Sequence, residues 1–527
     1  MASALSRFDL DLRDRAGLFR SLSNESFDIA VIGAGITGAG IARDAAMRGF
    51  RVVLLEARDF AAGTSSRSSK LVHGGIRYLA QGDMRLVREA ASERKVVKDI
   101  APHLARPTRF VVTARNWAGI AKFRTGLWTY EKLGAVEEDD RHELWDTDRL
   151  AREEPMLVTE PLAGAIVYME YITDDGRLTL ANVRSAKAHG AIVANYAEVT
   201  ALAPGRVSVR DGITNEQTEV HARVVVNATG PWADALRRLE DPAATPRLAL
   251  SKGIHLVLPR ARLDIRNTVT MTAADKRSVF VVPRGDAASL GTTDTFYPRS
   301  DYWPEPSDDD VDYLLATANA VFKAPALSRA DLTGYWAGIR PLIAEAGKSP
   351  SEISRRDEVM EGPGGVITIA GGKLTAFRRM AERIVDLCAK RLGAGNRPCR
   401  TVDEHLPGGD GVPDDIVKGL EARGLSANDA DRLMRLYGSE AGRVVGEGLA
   451  GEVRQAVLAE GAVRLEDYWV RRSARAHFDL DGGTAVLEEA SRLMAALLGW
   501  SETAREGELS SCRELHRAEM AFLGGGR

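Results

Sequence analysis

Three glycines and one acid form the first group of residues able to do chemistry. Gly33, Gly35 and Gly38 fall in Gly33-Ala34-Gly35-Ile36-Thr37-Gly38, and Glu56 follows 18 residues after the last of them. The first glycine permits a tight turn, the second lets the backbone approach a pyrophosphate, and the third lets a helix pack close to a strand. That helix would aim free N–H groups and partial positive charge at the phosphates. Glu56 stands where a carboxylate can accept a hydrogen bond from a ribose hydroxyl. A second group is the polar turn holding Thr64, Ser65, Ser66, Ser68 and Ser69. Its short hydroxyls and closely spaced N–H groups can wrap a pyrophosphate or a ribityl chain without crowding it. A third candidate is His255, whose imidazole titrates near neutrality and so suits general-base work. A lone histidine on a strand is nevertheless more often structural.

The elements that must position these residues are legible around them. Asp28-Ile29-Ala30-Val31-Ile32 leads into the glycine turn, a small-residue helix follows, and Val52-Val53-Leu54-Leu55 closes on Glu56. Strand, helix, strand and acid in register define a dinucleotide-binding βαβ unit, which a bare glycine triplet would not. Val224-Val225-Val226-Asn227-Ala228 is a short buried-strand pattern running into Thr229-Gly230-Pro231-Trp232. Val366-Ile367-Thr368-Ile369-Ala370 runs likewise into Gly371-Gly372-Lys373-Leu374-Thr375, with a helix expected to about Leu392. Met84 to Ile100 reads as an amphipathic helix ending near Pro102. Strands dominate from Gly253 to Thr293, which suggests an antiparallel sheet inserted into the nucleotide fold.

The expected organisation is therefore discontinuous. Residues 1–26 read as a loosely attached arm, and 27–106, 160–250 and 355–395 as three parts of one nucleotide-binding domain. Segments 107–159 and 251–354 supply an interfacial region and the substrate sheet. A Gly/Pro/Asp-rich linker at 396–412 precedes a helix-periodic domain at 413–527. A chain of 527 residues exceeds the usual single-core limit, as this division requires. The net charge of -3 argues against a general nucleic-acid binder. Three cysteines without CxxC spacing suggest neither a disulfide framework nor a metal site. Residues 1–26 lack an apolar core, so no signal peptide is expected, and no apolar run reaches spanning length.

Three glycine-bearing segments exceed what a plain NAD enzyme needs. The set resembles FAD-dependent oxidoreductases of the D-amino-acid-oxidase/glutathione-reductase type, an α/β class in which separate segments converge on one flavin. Thr64-Ser65-Ser66 through Ser68-Ser69-Lys70-Leu71-Val72-His73-Gly74-Gly75-Ile76-Arg77-Tyr78-Leu79 is similar to the signature of the FAD-dependent glycerol-3-phosphate dehydrogenase family. So are Lys252-Gly253-Ile254-His255, Gly291-Thr292-Thr293-Asp294, Gly338-Ile339-Arg340-Pro341-Leu342 and Gly371-Gly372-Lys373-Leu374-Thr375. The resemblance covers roughly residues 27–395. Beyond them it rests mainly on Trp469-Val470-Arg471-Arg472, which His477-Phe478 follow, unlike the family pattern.

The resemblance implies an FAD-binding Rossmann-like domain, an inserted antiparallel β substrate domain and a helical C-terminal domain. It implies oxidation of glycerol 3-phosphate, with the hydride leaving C2 for the flavin and electrons passing to quinone. Arg77, Arg340 and Lys373 would bind the phosphate, with Tyr78 a further donor. Arginine suits that task because its planar fork donates two parallel hydrogen bonds. His255 would take the proton, or Arg340 would act on the developing alkoxide. His73, Thr229, Gly230, Gly372, Lys373, Leu374 and Thr375 would contact FAD beside the glycine and serine turns.

The segment from Arg115 to Gly134 mixes Trp117, Ile120, Phe123, Leu127, Trp128, Tyr130 and Leu133 with Arg115, Lys122, Arg124 and Lys132. Residues 77–132 hold twelve Lys/Arg and five Asp/Glu. Such a segment suits peripheral docking on the cytoplasmic face of an anionic membrane; a core helix with a solvated basic face is the alternative, and the protein would then be cytoplasmic. An oxidase using oxygen, a flavin enzyme for amines or 2-hydroxy acids, and a flavin-binding sensor are the competing readings. Monomer and homodimer both stay open.

Overall fold

The computed structural model describes residues 6–74, 84–134, 141–323, 325–345, 347–350, 352–353 and 356–524. Within it, strand Ser26–Ile32 turns into helix Ile36–Met47 and returns as strand Val52–Leu55. Residues 29–32 and 52–55 are apolar on both sides, as expected where both sheet faces are covered. Helices Ile36–Met47, Asp175–Ala188 and Phe377–Leu392 bury one face around Ile29, Val31, Val52 and Leu54. Phe19 and Leu22, with Val199, Val207 and Val209, bury the other around Phe27, Ala30 and Val53.

The strand order of this sheet determines where a ligand can lie. It runs Asp357–Glu361, Ile367–Gly371, Gln217–Asn227, Ser26–Ile32, Val52–Leu55, Ile192–Ala194, with an antiparallel ribbon of Ala197–Ala203 and Arg206–Asp211 continuing from Gln217–Asn227. All the pairings from Ile367–Gly371 to Ile192–Ala194 are parallel. Four neighbouring parallel strands thus end at Gly372, Thr229, Gly33 and Glu56. Segments more than three hundred residues apart in sequence meet at the carboxyl edge of one sheet, where open α/β sheets bind their ligands.

The second sheet is ordered Thr295–Phe296, Leu248–Pro259, Ala287–Gly291, Ser278–Arg284, Thr268–Thr272, Arg106–Ala114, Gly164–Ile172, Leu71–Val72. Gly334–Ile343 also pairs with Leu248–Pro259, and Glu143–Trp145 with Gly164–Ile172. The expected inserted antiparallel sheet is present, with one parallel pairing between Thr268–Thr272 and Arg106–Ala114. It is larger than the 251–354 segment, because Gly164–Ile172 and Leu71–Val72 join it from stretches assigned to the nucleotide domain. Hydrophobic patterning marks a strand but does not choose its sheet.

The N-terminal arm is not loose. Leu10, Leu12, Phe19 and Leu22 are buried, and Arg15 donates to Asp211 at 2.7 Å and to the Asn195 carbonyl at 2.9 Å. Arg443 of the C-terminal domain reaches back to Asp9 at 2.7 Å. Asp9 and Arg15 anchor the arm, while Asp11 and Arg13 pair with each other at the surface and Asp14 caps the helix that follows. The C-terminal domain is helical from Pro413–Glu421 to Glu502–Leu523. Among the described residues no helix is long and apolar enough to cross a membrane.

Candidate functional site

Gly33 has φ +98°, and a Cβ there would lie 2.7 Å from the Ala228 carbonyl oxygen. A Cβ on Gly38 would lie 1.8 Å from the Gly33 carbonyl oxygen, so the helix can sit this close to the turn only with glycine. Glu56 is buried and accepts from the Ala34 N–H at 2.8 Å and the Arg58 N–H at 2.9 Å. Burial pushes its carboxyl up despite those two donors. A carboxylate has about four acceptor positions, so it can hold the turn and still face a ribose.

The serine turn is ordered by partners that the sequence did not suggest. The Ser65 hydroxyl accepts from the Ile36 N–H at 2.9 Å, placing the turn against the helix N-terminus. The Thr64 hydroxyl donates to the Ile339 carbonyl at 2.6 Å, which ties the turn to the substrate sheet. Asp175, first residue of helix Asp175–Ala188, accepts from the Ser68 N–H at 2.9 Å and from Lys70 Nζ at 2.6 Å. Thr375 braces the far end, exchanging hydrogen bonds with the backbone of His73 at 3.2 and 3.0 Å. The hydroxyls of Thr64, Ser65 and Thr375 therefore shape the cradle.

On the second sheet, the motif glycines make room for two side chains. A Cβ on Gly253 would lie 2.3 Å from Arg340 Nη2, and one on Gly291 would lie 2.3 Å from the His255 ring. Arg340 therefore lies across Gly253, two residues from His255 on the same strand face. Its guanidinium donates to Thr292 Oγ1 at 2.9 Å, the Thr293 carbonyl at 3.2 Å and Asp294 at 3.2 Å. His255 Nε2 lies 2.9 Å from Ser69 Oγ, and its ring stacks on Trp336 at 4.9 Å and 13°. Its Nδ1 has no hydrogen-bond partner among the described residues. Burial, then the charges of Arg340 and Lys70, hold the imidazole well below its ordinary pKa, so it is neutral at pH 7.

The C-terminal domain closes this region from behind. Arg471 and Arg472, on a π-helical turn, both bind buried Asp59, which follows strand Val52–Leu55. This is where the Trp469-Val470-Arg471-Arg472 segment acts: it bolts the helical domain to the nucleotide domain. His477 and Phe478, where the family pattern breaks, pack on Trp336 at 5.3 and 5.7 Å, on a ring that also stacks with His255.

One continuous cavity of about 1700 Å³ joins these parts. Gly33, Gly35, Glu56, Thr64, Ser65, Ser69, His73, Thr229, Gly230, His255, Arg340, Gly372, Lys373 and Leu374 all line it. Gly38 and Thr375 shape it from the second layer, and Ser66 is buried with a hydroxyl that has no partner among the described residues. Arg77 and Tyr78 lie outside the described residues. Sequence reasoning gave no role to Arg58, Arg67 or Asp294, although all three lie in or beside its motifs, and it missed Tyr302 and Trp336, which only the folded chain brings to the site. FAD fits the donor set: a glycine cradle that a Cβ would fill, a helix N-terminus, a ribose-facing acid and an orphaned serine hydroxyl.

Fold and site together define an FAD-dependent oxidoreductase. Residues 28–378 match the family described as FAD dependent oxidoreductase, and residues 399–505 match the C-terminal domain of alpha-glycerophosphate oxidase. Aerobic glycerol-3-phosphate dehydrogenase of Staphylococcus haemolyticus is 36% identical over 92% of this chain and 94% of its own. That of Bacillus subtilis is 36% identical over 95% and 96%. The crystal structure of glycerol-3-phosphate dehydrogenase from Bacillus halodurans complexed with FAD superposes with a TM-score of 0.81 at 32% identity, covering 97% of this chain and 98% of that one. L-alpha-glycerophosphate oxidase from Mycoplasma pneumoniae, at 17% identity and TM-score 0.56, shares the fold over 71% of this chain and 97% of its own. The chain belongs to the aerobic glycerol-3-phosphate dehydrogenase family, and its cofactor is FAD.

Proposed function

We propose that this protein oxidises sn-glycerol 3-phosphate to dihydroxyacetone phosphate and passes the electrons to a membrane quinone. The observation that carries the reading is the placing of Arg340, Lys373 and neutral His255 on the cavity that reaches the dinucleotide turn. The names of the relatives supply the substrate. When bound, FAD supplies the two-electron acceptor for the hydride that leaves C2.

The chain's own residues bind, orient and take the proton. Arg340 and Lys373 oppose the phosphate charge, with Arg77 and Tyr78 assigned beside them on motif grounds. Arg340 is held by Thr292, Thr293 and Asp294, so little side-chain freedom is lost on binding. With Nε2–H donated to Ser69, Nδ1 of His255 carries the lone pair that accepts the C2 hydroxyl proton. The test is an anaerobic visible spectrum before and after sn-glycerol 3-phosphate. Bleaching by this substrate, and not by lactate, glycine or sarcosine, is expected. An unresponsive flavin band refutes the substrate. Reoxidation by a quinone analogue faster than by air is expected; the reverse order makes the protein an oxidase.

Membrane docking is supported by helix Trp117–Gly134, which leaves Trp117 67% and Trp128 54% exposed while burying Ile120 and Leu127. An apolar inner face with tryptophans outside suits an interfacial helix on the cytoplasmic side of the membrane. Replacing both tryptophans by serine should abolish sedimentation with anionic vesicles and leave flavin reduction unchanged. Unchanged sedimentation refutes the docking.

A further inference from the structure

Between strand Thr295–Phe296 and helix Asp308–Asn319 the chain leaves the substrate sheet and crosses to the nucleotide domain. Lys252 anchors both ends of the excursion. Its Nζ donates to the Glu305 carbonyl at 2.8 Å, pairs with Asp310 at 2.9 Å, and lies 5.4 Å from the Tyr297 ring. At the crest are two consecutive aromatic residues, one covered by a cation that follows Glu56 and the other by a cation within the polar turn. Arg58 sits 4.2 Å over Tyr302, and Arg67 sits 3.9 Å over Trp303. Tyr302 also stacks on Trp232 at 4.2 Å and 23°. Trp303 packs against the core of the helical domain.

Tyr302 lines the cavity together with Glu56, Arg58, Gly63 and Trp232, on the side of the ribose-facing acid. We propose that residues 297–305 are a strap that retains FAD, with Tyr302 closing over the adenosine–pyrophosphate half of the dinucleotide. The closed position is held by the Trp232 stack and the Arg58 contact. Trp303 ties the strap to the polar turn through Arg67 and to the helical domain through its packing. Opening the strap breaks both cation–aromatic contacts and uncovers the glycine turn, so it sets the rate at which the cofactor leaves. Nothing in this depends on which substrate is oxidised.

The experiment measures release of flavin from the holoenzyme. Purified protein is diluted into flavin-free buffer and the rise of free-FAD fluorescence is followed. Loss of one aromatic stack and one cation–aromatic contact corresponds to roughly ten- to hundred-fold faster release for Tyr302→Ala. Tyr302→Phe keeps the ring and should release within about twofold of wild type, while Arg58→Gln should fall between them. Where Tyr302→Ala does not fold, Tyr302→Leu, which keeps volume without the ring, is held to the same tenfold criterion. Unchanged release from the Ala or Leu variant overturns the strap. Equal acceleration by Tyr302→Phe overturns the stacking basis. Wild-type protein that takes up no FAD overturns the cofactor assignment itself, a result distinct from both.

Discussion

Gly253→Ala would test the positioning of Arg340 without touching a charged group. The new Cβ would lie 2.3 Å from Arg340 Nη2, 2.5 Å from Nη1 and 2.5 Å from Thr292 Oγ1. Ordinary contact begins near 3.4 Å, so the guanidinium must withdraw by about 1 Å. It is the far end of a flexible side chain, and it yields more easily than the paired strands Leu248–Pro259 and Gly334–Ile343. Fold and flavin binding should therefore survive, with stability changed by no more than about 1 kcal/mol. A misplacement near 1 Å at a substrate-positioning group costs about a hundredfold, or roughly 2.7 kcal/mol. Because Arg340 would bind the phosphate equally before and during hydride loss, most of that loss should fall on KM. The assay is stopped-flow anaerobic flavin reduction over a range of sn-glycerol 3-phosphate concentrations, beside the flavin spectrum and Tm. A folded, yellow variant with unchanged kcat/KM would refute the role given to Arg340. Collapse of the fold would show that the sheet, not the side chain, gives way.

His255→Ala should lower the rate constant of flavin reduction by about 10²- to 10⁴-fold with the spectrum retained. Since burial and neighbouring cations keep that imidazole neutral, the wild-type rate should show no inflection near pH 6.5 that disappears in this variant. Asp59→Asn removes the carboxylate that Arg472 pairs with, while Arg471 keeps Glu466 and Asp467, and the buried Arg472 charge should cost about 3–5 kcal/mol, read as a lowered denaturation midpoint. Burial pushes the Glu519 carboxyl up to about 7, above the 4.5 of an unfolded glutamate. The folded state thus binds this proton more tightly, so the contribution is full below about pH 4.5 and is lost as pH rises through 7. Glu519→Gln should raise Tm above pH 7 relative to wild type and change it little near pH 5; a constant offset across that range would contradict the buried-acid reading.

The sequence by itself determined the dinucleotide unit, because strand period, glycine turn, helix and Glu56 are all local and each spacing has its own steric reason. It also marked Arg340, Lys373 and His255, each beside a glycine whose absence of a side chain is needed nearby. Tertiary structure alone decided which sheet each strand joins: Gly164–Ile172 reads like any buried strand, yet pairs with Arg106–Ala114. Local patterning carries no register between segments fifty residues apart. The arm at 6–24 shows the same limit, since it reads as loosely attached until Asp211 and Asn195 are brought to Arg15 and Arg443 to Asp9. Tyr302 and Trp303, an aromatic pair in a charged, proline-bearing stretch, had no period to reveal them. Their meaning comes from Arg58, Arg67 and Trp232, which only the folded chain places against them.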